Sequence, residues 1–284
     1  MGAWDAWIGR QQVQTDIVDR ALAARWLATF DRDISGHGAL PQGIHFALCT
    51  PQAATAELGE DGHPKRSDSP DSLFPPIPLP RRMWAGSDIA FLHPVSVAQR
   101  IERTSTLHSV AEKPGSSGNL AFVEVEHLTR ADGVDAVREV QTLVYREAAA
   151  PDAPPSPPEP GEREFAEDEW DAATTLVPSE TLLFRYSALT FNSHRIHYDL
   201  PYAKGVERYR GLVVHGPLIA SLLLKLAAET HGDNALASFS FRAVSPAICG
   251  EPLHLAMRAA AGGIELGAFA SDGRQTMKAS AALA

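Results

Sequence analysis

A proline-rich segment near the middle of the chain restricts what it can fold into. Residues 148–162 read AAAPDAPPSPPEPGE, and prolines at this density remove the backbone donors that a helix or a paired strand needs. The segment therefore predicts a linker between two units of similar length, residues 1–147 and 163–284. With 284 residues, of which 44% are hydrophobic, the chain can bury one large core or two ordinary ones.

The two units, called here the first half and the second half, repeat a pattern of strands. In each half an alternating apolar strand leads into a proline, an apolar turn and a second strand, and a strand pair joined by Asp-Gly follows. The matching stretches are residues 87–101 and 238–253, and then residues 121–145 around Asp132-Gly133 and residues 264–283 around Asp272-Gly273. Asp-Gly between alternating apolar runs is a strong hairpin signal.

Helical patterns differ between the halves. In the second half the run from Leu218 to Thr230 predicts a long apolar helix, which His231-Gly232 ends. In the first half the helical signal lies early, from Val18 to Phe30, and residues 36–80 are interrupted by many prolines and glycines. We therefore expect an α+β protein made of two similar units, each with one helix wrapped by a curved antiparallel sheet. The first unit is expected to be a degenerate copy, and the two sheets are expected to join edge to edge.

Composition and charge exclude several classes of protein. The formal net charge is −10 and the pI is about 5.5, which argues against binding nucleic acid. No apolar run reaches the roughly 18 to 20 residues of a membrane span, and no signal peptide pattern opens the chain, so we expect a cytoplasmic protein with no membrane partner. Cys49 and Cys249 stand alone in sequence, which supports neither a disulfide framework nor a zinc site.

The candidate chemistry is concentrated between Phe184 and Ala220. His194 and His197 are three residues apart, Asn192 precedes His197 by five, and His215-Gly216-Pro217 opens the long apolar helix. An imidazole that transfers protons and a helix N-terminus with free N–H groups are the two elements that stabilise a developing enolate.

These residues carry a family resemblance that spans both halves. The run Phe191-Asn192-Ser193-His194-Arg195-Ile196-His197 resembles the motif of the MaoC-like, or type-2 hydratase, group of hot-dog-fold proteins, and Val214 to Leu218 is similar to its oxyanion-hole turn. With PIPLPRRMWAGSDIAF in the first half, the chain resembles the subgroup of mesaconyl-CoA and itaconyl-CoA hydratases and the mitochondrial 3-hydroxyacyl-thioester dehydratase. The resemblance implies a double hot dog.

The resemblance also implies a reaction and roles. It implies hydration or dehydration of an acyl-CoA thioester, without a cofactor apart from the CoA carried by the substrate. His197 falls at the motif histidine and is expected to be the general base, whereas Asn192 replaces the motif aspartate and is expected to orient water through its amide carbonyl. The Gly216 N–H is expected to meet the thioester oxygen, since Pro217 has no N–H to donate.

Further residues are expected to line the acyl pocket, and the substrate is expected to be short and branched or dicarboxylic. The expected lining residues are Tyr186, Ser187, His194, Arg195, Tyr198 and His215, with Arg82 from the first half. Arg195 or one of Arg81 and Arg82 is a candidate partner for a free carboxylate.

Several alternatives stay open at this point. They are a 3-hydroxyacyl dehydratase acting on an acyl carrier protein or CoA, a thioesterase of the same fold, and a non-catalytic subunit, as Asn192 in place of aspartate suggests. A metal site between His194 and His197 is disfavoured because the sequence offers no third ligand at suitable spacing. Association of the chain into a homodimer is left open.

Overall fold

The computed structural model describes residues 3–33, 38–69, 71–115 and 118–284. Ten strands and four α-helices are found there. The strands are β1 (Gln11–Ile17), β2 (Arg81–Phe91), β3 (Arg100–Gly115), β4 (Gly118–Ala131), β5 (Val134–Arg146), β6 (Ala172–Leu176), β7 (Leu236–Ala243), β8 (Leu253–Ala260), β9 (Gly263–Ala270) and β10 (Gln275–Leu283); the helices are α1 (Arg20–Thr29), α2 (Glu180–Thr190), α3 (Leu200–Gly205) and α4 (Gly216–His231).

All ten strands form one antiparallel sheet in which the order of the first half repeats in the second. The order is β1-β3-β4-β5-β2-β7-β10-β9-β8-β6, so each half contributes five strands with the same connections. The halves meet where β2 pairs with β7, from Gly86 opposite Arg242 to Ala90 opposite Ser238. The predicted edge-to-edge joining is thus confirmed, and it hides two strand edges that would otherwise be open.

The two predicted Asp-Gly hairpins are present. Asp132 and Gly133 both have positive φ, at 49° and 82°, between β4 and β5, which is the geometry that a tight hairpin turn requires. Gly273, with φ of 72°, lies in the turn between β9 and β10.

The helices correct one detail of the sequence prediction. The helix α1 follows β1 as α2 follows β6, so α1 corresponds to α2 and not to the long apolar helix α4. Between α1 and β2 the described residues of the first half hold only two 3₁₀ turns. Only the second half therefore has a helix of 16 residues against its sheet, where nine of the residues are buried. Loops and strands of the first half line a cavity instead.

The proline-rich segment packs against the second half. Ser156 forms a bridge with Tyr209, the Arg208 guanidinium donates to the Ala153 carbonyl at 2.8 and 2.9 Å, and the Gly161 N–H donates to Asp272. These contacts hold an extended strap on the surface without regular secondary structure.

One hydrophobic core joins the halves. It includes Trp26 of α1, Leu183 of α2, Leu223 of α4 and residues of both sheets. Both cysteines are free; Cys49 is buried and Cys249 is half-buried. Among the helices of the described residues, none meets the length and hydropathy that a membrane span requires.

Candidate active site

A cavity of about 1750 Å³ lies between the two halves. One wall comes from the second half, from α2, the motif loop after it and the start of α4. The opposite wall comes from the loops and strands of the first half. Of the residues expected from sequence, nine line this cavity: Arg82, Tyr186, Ser187, Asn192, His194, His197, Tyr198, His215 and Gly216.

The motif loop is shaped by its own backbone hydrogen bonds. Helix α2 ends at Phe191, which adopts a left-handed conformation with φ of 48°, and the Asn192 N–H donates to the Ser187 carbonyl at 2.9 Å. The Asn192 side-chain carbonyl then accepts from the His194 N–H at 3.0 Å. Asn192 therefore uses one acceptor position to form the turn, while its NH₂ group makes no hydrogen bond with the described residues.

His197 is held in one tautomer. Its ring is buried, and Nδ1 lies 2.7 Å from the carbonyl oxygen of Val213. Because a carbonyl only accepts, Nδ1 carries the proton and Nε2 keeps its lone pair for another partner. Burial lowers the pKa of His197 to about 4, against the smaller opposing effect of the Val213 carbonyl. The imidazole is therefore neutral at physiological pH, as a general base must be.

His215 supports the ring of His197. The two rings are stacked, with centroids 3.6 Å apart and an interplanar angle of 19°. His215 Nε2 lies 2.8 Å from Ser187 Oγ, and burial holds the pKa of His215 well below its ordinary value. Two charged rings at this distance would repel each other, so the stack requires neutral imidazoles. His215 thus fixes the plane of His197, and Ser187 fixes His215.

The N-terminus of α4 opens into the same cavity. Gly216 is its first residue, and Pro217 contributes no N–H. Gly216 has room around it, since the nearest atom to an added Cβ is the Trp84 carbonyl oxygen at 3.9 Å. The Gly216 N–H lies at the positive end of the helix dipole, where an anionic oxygen is stabilised.

The structure adds two residues that the sequence analysis missed. Asp61 and His63 lie in the loop of the first half at residues 59–63, and His63 lines the cavity. His63 Nδ1 is 2.9 Å from Asp61 Oδ2, and its ring centroid is 4.1 Å from that of His194. The signal available in sequence was Asp61-Gly62-His63-Pro64, within a stretch that the Pro and Gly content assigned to irregular structure.

This loop is attached directly to the motif loop. The Arg195 N–H donates to the Asp61 carbonyl at 2.9 Å, and Ser193 Oγ donates to the Gly62 carbonyl at 2.6 Å. Gly62 has φ of 88°, and an added Cβ would lie 1.9 Å from the Ser193 carbonyl oxygen. Glycine is required there both by the backbone conformation and by the close approach of the two loops.

The three candidate arginines have different surroundings. Arg195 pairs with Asp199 at 2.7 Å and donates to the Glu60 carbonyl. It is not among the residues that line the cavity, so the structure does not support its assignment to the acyl pocket. Arg81 is buried in an ion pair with Glu207. The Arg82 side chain lines the cavity and makes no ion pair or hydrogen bond with the described residues.

The expectation of no metal has to be compared with a cluster formed by Asp61, His63 and His194. Their ligating atoms lie within 4.8 Å of one another, a grouping that the sequence did not indicate and that does not include His197. One feature disfavours a cation at this cluster, which is the positive charge of Arg82. Burial lowers the pKa of His63 and His194 and opposes the lowering for Asp61, and the charge of Arg82 lowers the pKa of all three groups.

The fold is a double hot dog, and its candidate site lies where the two halves meet. The profile of the hydroxyacyl-thioester dehydratase type 2 family matches residues 43–249. The chain is 42% identical to the mesaconyl-C(4)-CoA hydratase of Chloroflexus aurantiacus, over 99% of this chain and 98% of the relative. It is 25% identical to the mitochondrial hydroxyacyl-thioester dehydratase type 2 of Schizosaccharomyces pombe, over 76% and 77% of the two chains.

Solved structures agree on the fold. HtdX of Mycobacterium tuberculosis superposes with a TM-score of 0.66 at 16% identity, covering 97% of this chain and 100% of that one. The chain belongs to the hydroxyacyl-thioester dehydratase type 2 family, and the hydro-lyase class expected from sequence is confirmed.

Proposed function

We propose that the protein catalyses reversible addition of water across the α,β-double bond of an enoyl-CoA thioester with a short branched or dicarboxylic acyl group. The observation that carries this proposal is the pairing of a neutral His197, with a free Nε2, and the open N-terminus of α4 in one cavity. CoA enters as part of the substrate, and the reaction requires no further cofactor.

The chemistry follows from these two groups. In hydration, His197 Nε2 accepts a proton from water as the water oxygen bonds to Cβ. The electrons of the double bond move toward the thioester carbonyl, whose oxygen becomes enolate-like and is met by the Gly216 N–H. Cα then takes a proton. Dehydration reverses these steps.

Arg82 supports a substrate with a second carboxylate. Among the described residues Arg82 lines the cavity without a salt bridge, in contrast to Arg81 and Arg195, although its charge acts on the nearby Asp61 carboxylate. A guanidinium in this state is suited to bind a carboxylate through two parallel hydrogen bonds.

The wall of the first half is mixed in character. His127 is hydrogen-bonded to Ser105 at 2.7 Å, Glu139 accepts from Ser87 at 2.6 Å, and Arg103 donates to the His45 carbonyl. Apolar side chains, among them Phe46 and Trp84, line the cavity beside these groups. The proposed acyl group is supported by the name of the Chloroflexus relative.

The test is a substrate panel followed by ultraviolet absorbance of the enoyl thioester. Mesaconyl-CoA, itaconyl-CoA and crotonyl-CoA are compared at micromolar enzyme, and the hydroxyacyl products are tested for the reverse reaction. We expect turnover with a dicarboxylic thioester and little with crotonyl-CoA. Release of free CoA without a change in the double bond would indicate a thioesterase, and no reaction with any thioester would indicate a non-catalytic protein.

The role of Arg82 is tested separately with Arg82→Gln. Loss of one bidentate charged contact is expected to raise KM for the dicarboxylic substrate by about tenfold to a hundredfold, while crotonyl-CoA hydration changes little. Arg195→Gln is the matched control, since Arg195 pairs with Asp199 outside the cavity. Equal losses on both substrates, or a selective loss in the control, would contradict the assignment of Arg82.

A further inference from the structure

The site needs a second proton-transfer group that the motif does not supply. Addition of water delivers a hydroxyl to Cβ and a proton to Cα, and these two events occur at neighbouring carbon atoms. In this chain the motif aspartate is replaced by Asn192, whose amide cannot carry a proton. The second half therefore offers His197 but no carboxylate at the motif position.

We propose that Asp61 and His63 of the first half form the missing acid–base pair, and that His63 delivers the proton to Cα. This inference rests on the proposed hydration of an enoyl thioester. His63 lines the cavity and its ring contacts that of His194 in the motif, while Asp61 lies behind it and does not line the cavity. The arrangement is a histidine that faces substrate with a carboxylate that orients it.

The hydrogen bonds of the pair determine its tautomer. His63 Nδ1 donates to Asp61 Oδ2 at 2.9 Å, and the other carboxylate oxygen, Oδ1, accepts from the His63 N–H at 3.0 Å. Asp61 therefore holds both the backbone and the ring of His63. The Nε2 atom is left with its lone pair, which is the form that accepts a proton.

The proton balance is closed. The O–H bond of water breaks and its proton goes to His197 as the oxygen bonds to Cβ. His63 Nε2 receives that proton through a second water in the cavity and gives it to Cα as the enolate returns to a thioester. Both imidazoles finish neutral, and the two parts of one water molecule have been added across the double bond. The carboxylate of Asp61 offsets the transient charge on His63.

The charged groups around His63 are consistent with this role. Burial and the nearby Arg82 and Arg66 lower the pKa of His63, and Asp61 raises it. The pKa of Asp61 is itself lowered by its hydrogen bonds to His63, against the opposing effect of burial, so the carboxylate is ionised at neutral pH. His197 has only the Val213 carbonyl to oppose burial. Of these two histidines, only His63 has a carboxylate hydrogen-bonded to its ring that can offset the charge of a transferred proton.

The loop contacts explain how residues from the first half reach the motif. The backbone of the 59–63 loop is joined to the motif loop by the Arg195 N–H and by Ser193 Oγ. Gly62 permits the close approach. The interface between the halves thus completes the site.

The test uses Asp61→Asn and His63→Gln with the substrate that the parent protein hydrates best. We expect turnover to fall by about 10² to 10³ in each, with KM within about threefold of the parent value. Asp61→Asn also removes the group that raises the pKa of His63. The neutral form of His63 then persists to lower pH, so the acidic limb of the turnover profile moves to lower pH. Asp61→Glu, which restores the carboxylate, should recover part of the loss.

Ser193→Ala is the control for a merely structural role. It removes the hydrogen bond to Gly62 and keeps the acid–base pair, so turnover should fall by no more than a few-fold with an unchanged pH profile. Turnover of Asp61→Asn and His63→Gln within threefold of the parent would overturn the inference. So would an equimolar, tightly bound metal ion whose removal by a chelator abolishes activity. In either case an active parent and an inactive His197→Ala protein leave the proposed hydration intact, whereas an inactive parent refutes the proposed function itself.

Discussion

The contact between Gly62 and Ser193 gives a prediction with a magnitude. In Gly62→Ala the new residue must hold φ near 88°, which costs about 1 to 2 kcal/mol for an L-residue. Its Cβ would lie 1.9 Å from the Ser193 carbonyl oxygen, so the loops must separate. Separation breaks the two hydrogen bonds from Arg195 and Ser193, at about 1 kcal/mol each. Alanine also reduces the entropy of the unfolded chain, which stabilises the folded protein by about 0.4 to 1 kcal/mol.

The net expectation is a loss of about 3 kcal/mol in the free energy of unfolding, measured by urea denaturation. Gly133→Ala is the matched control, because Gly133 has φ of 82° and nothing within 4 Å of an added Cβ. Gly133→Ala changes only the backbone and unfolded-chain terms, so we expect the free energy of unfolding to fall by about 1 kcal/mol. Turnover should fall at least tenfold in Gly62→Ala, since Asp61 and His63 move away from the motif, and should be unchanged in Gly133→Ala. Equal stability losses in the two variants, with full turnover in Gly62→Ala, would refute the close approach of the loops.

Three further predictions concern the motif loop and His63. His197→Ala is expected to lower turnover by about 10² to 10⁴ with little loss of stability, whereas His194→Ala should cost much less; equal losses would mean that the base is wrongly assigned. Asn192→Ala should lower turnover more than it raises KM, and Asn192→Asp, which can keep the hydrogen bond to the His194 N–H, should retain activity with a new acidic limb in the pH profile. The pKa of His197 is lowered to about 4, so its base form is present above that pH. The residual hydration of His63→Gln should therefore persist down to about pH 5 and be lost as the pH falls through 4. An acidic limb near pH 6.5 in this variant would contradict the buried geometry of His197.

Much of the fold follows from local patterns. The alternating strands, the Asp-Gly turns and the apolar run that forms α4 are each determined by neighbouring residues, so the sequence predicted eight of the strands, the long helix and the joining of the sheets. The short strands β1 and β6 and the helix α2 were not predicted, since β1 and β6 have exposed or half-exposed side chains without clear alternation. A wrapped helix was expected in both halves, but among the described residues a long one is present only in the second, because periodicity does not show which element a helix packs against.

The candidate site also has one part that is local in sequence and one part that depends on tertiary structure. His197, Asn192 and Gly216 belong to one short segment of chain, and the resemblance of that segment to the motif of the MaoC-like group is what made them candidates. Arg195 could not be excluded from sequence, because its partner Asp199 competes for it only in the folded loop. Asp61 and His63 lie more than a hundred residues before the motif, in a stretch without periodicity. Their role depends on a contact between halves, and such a contact exists only when the sheet joins at β2 and β7 and Gly62 lets two backbones meet.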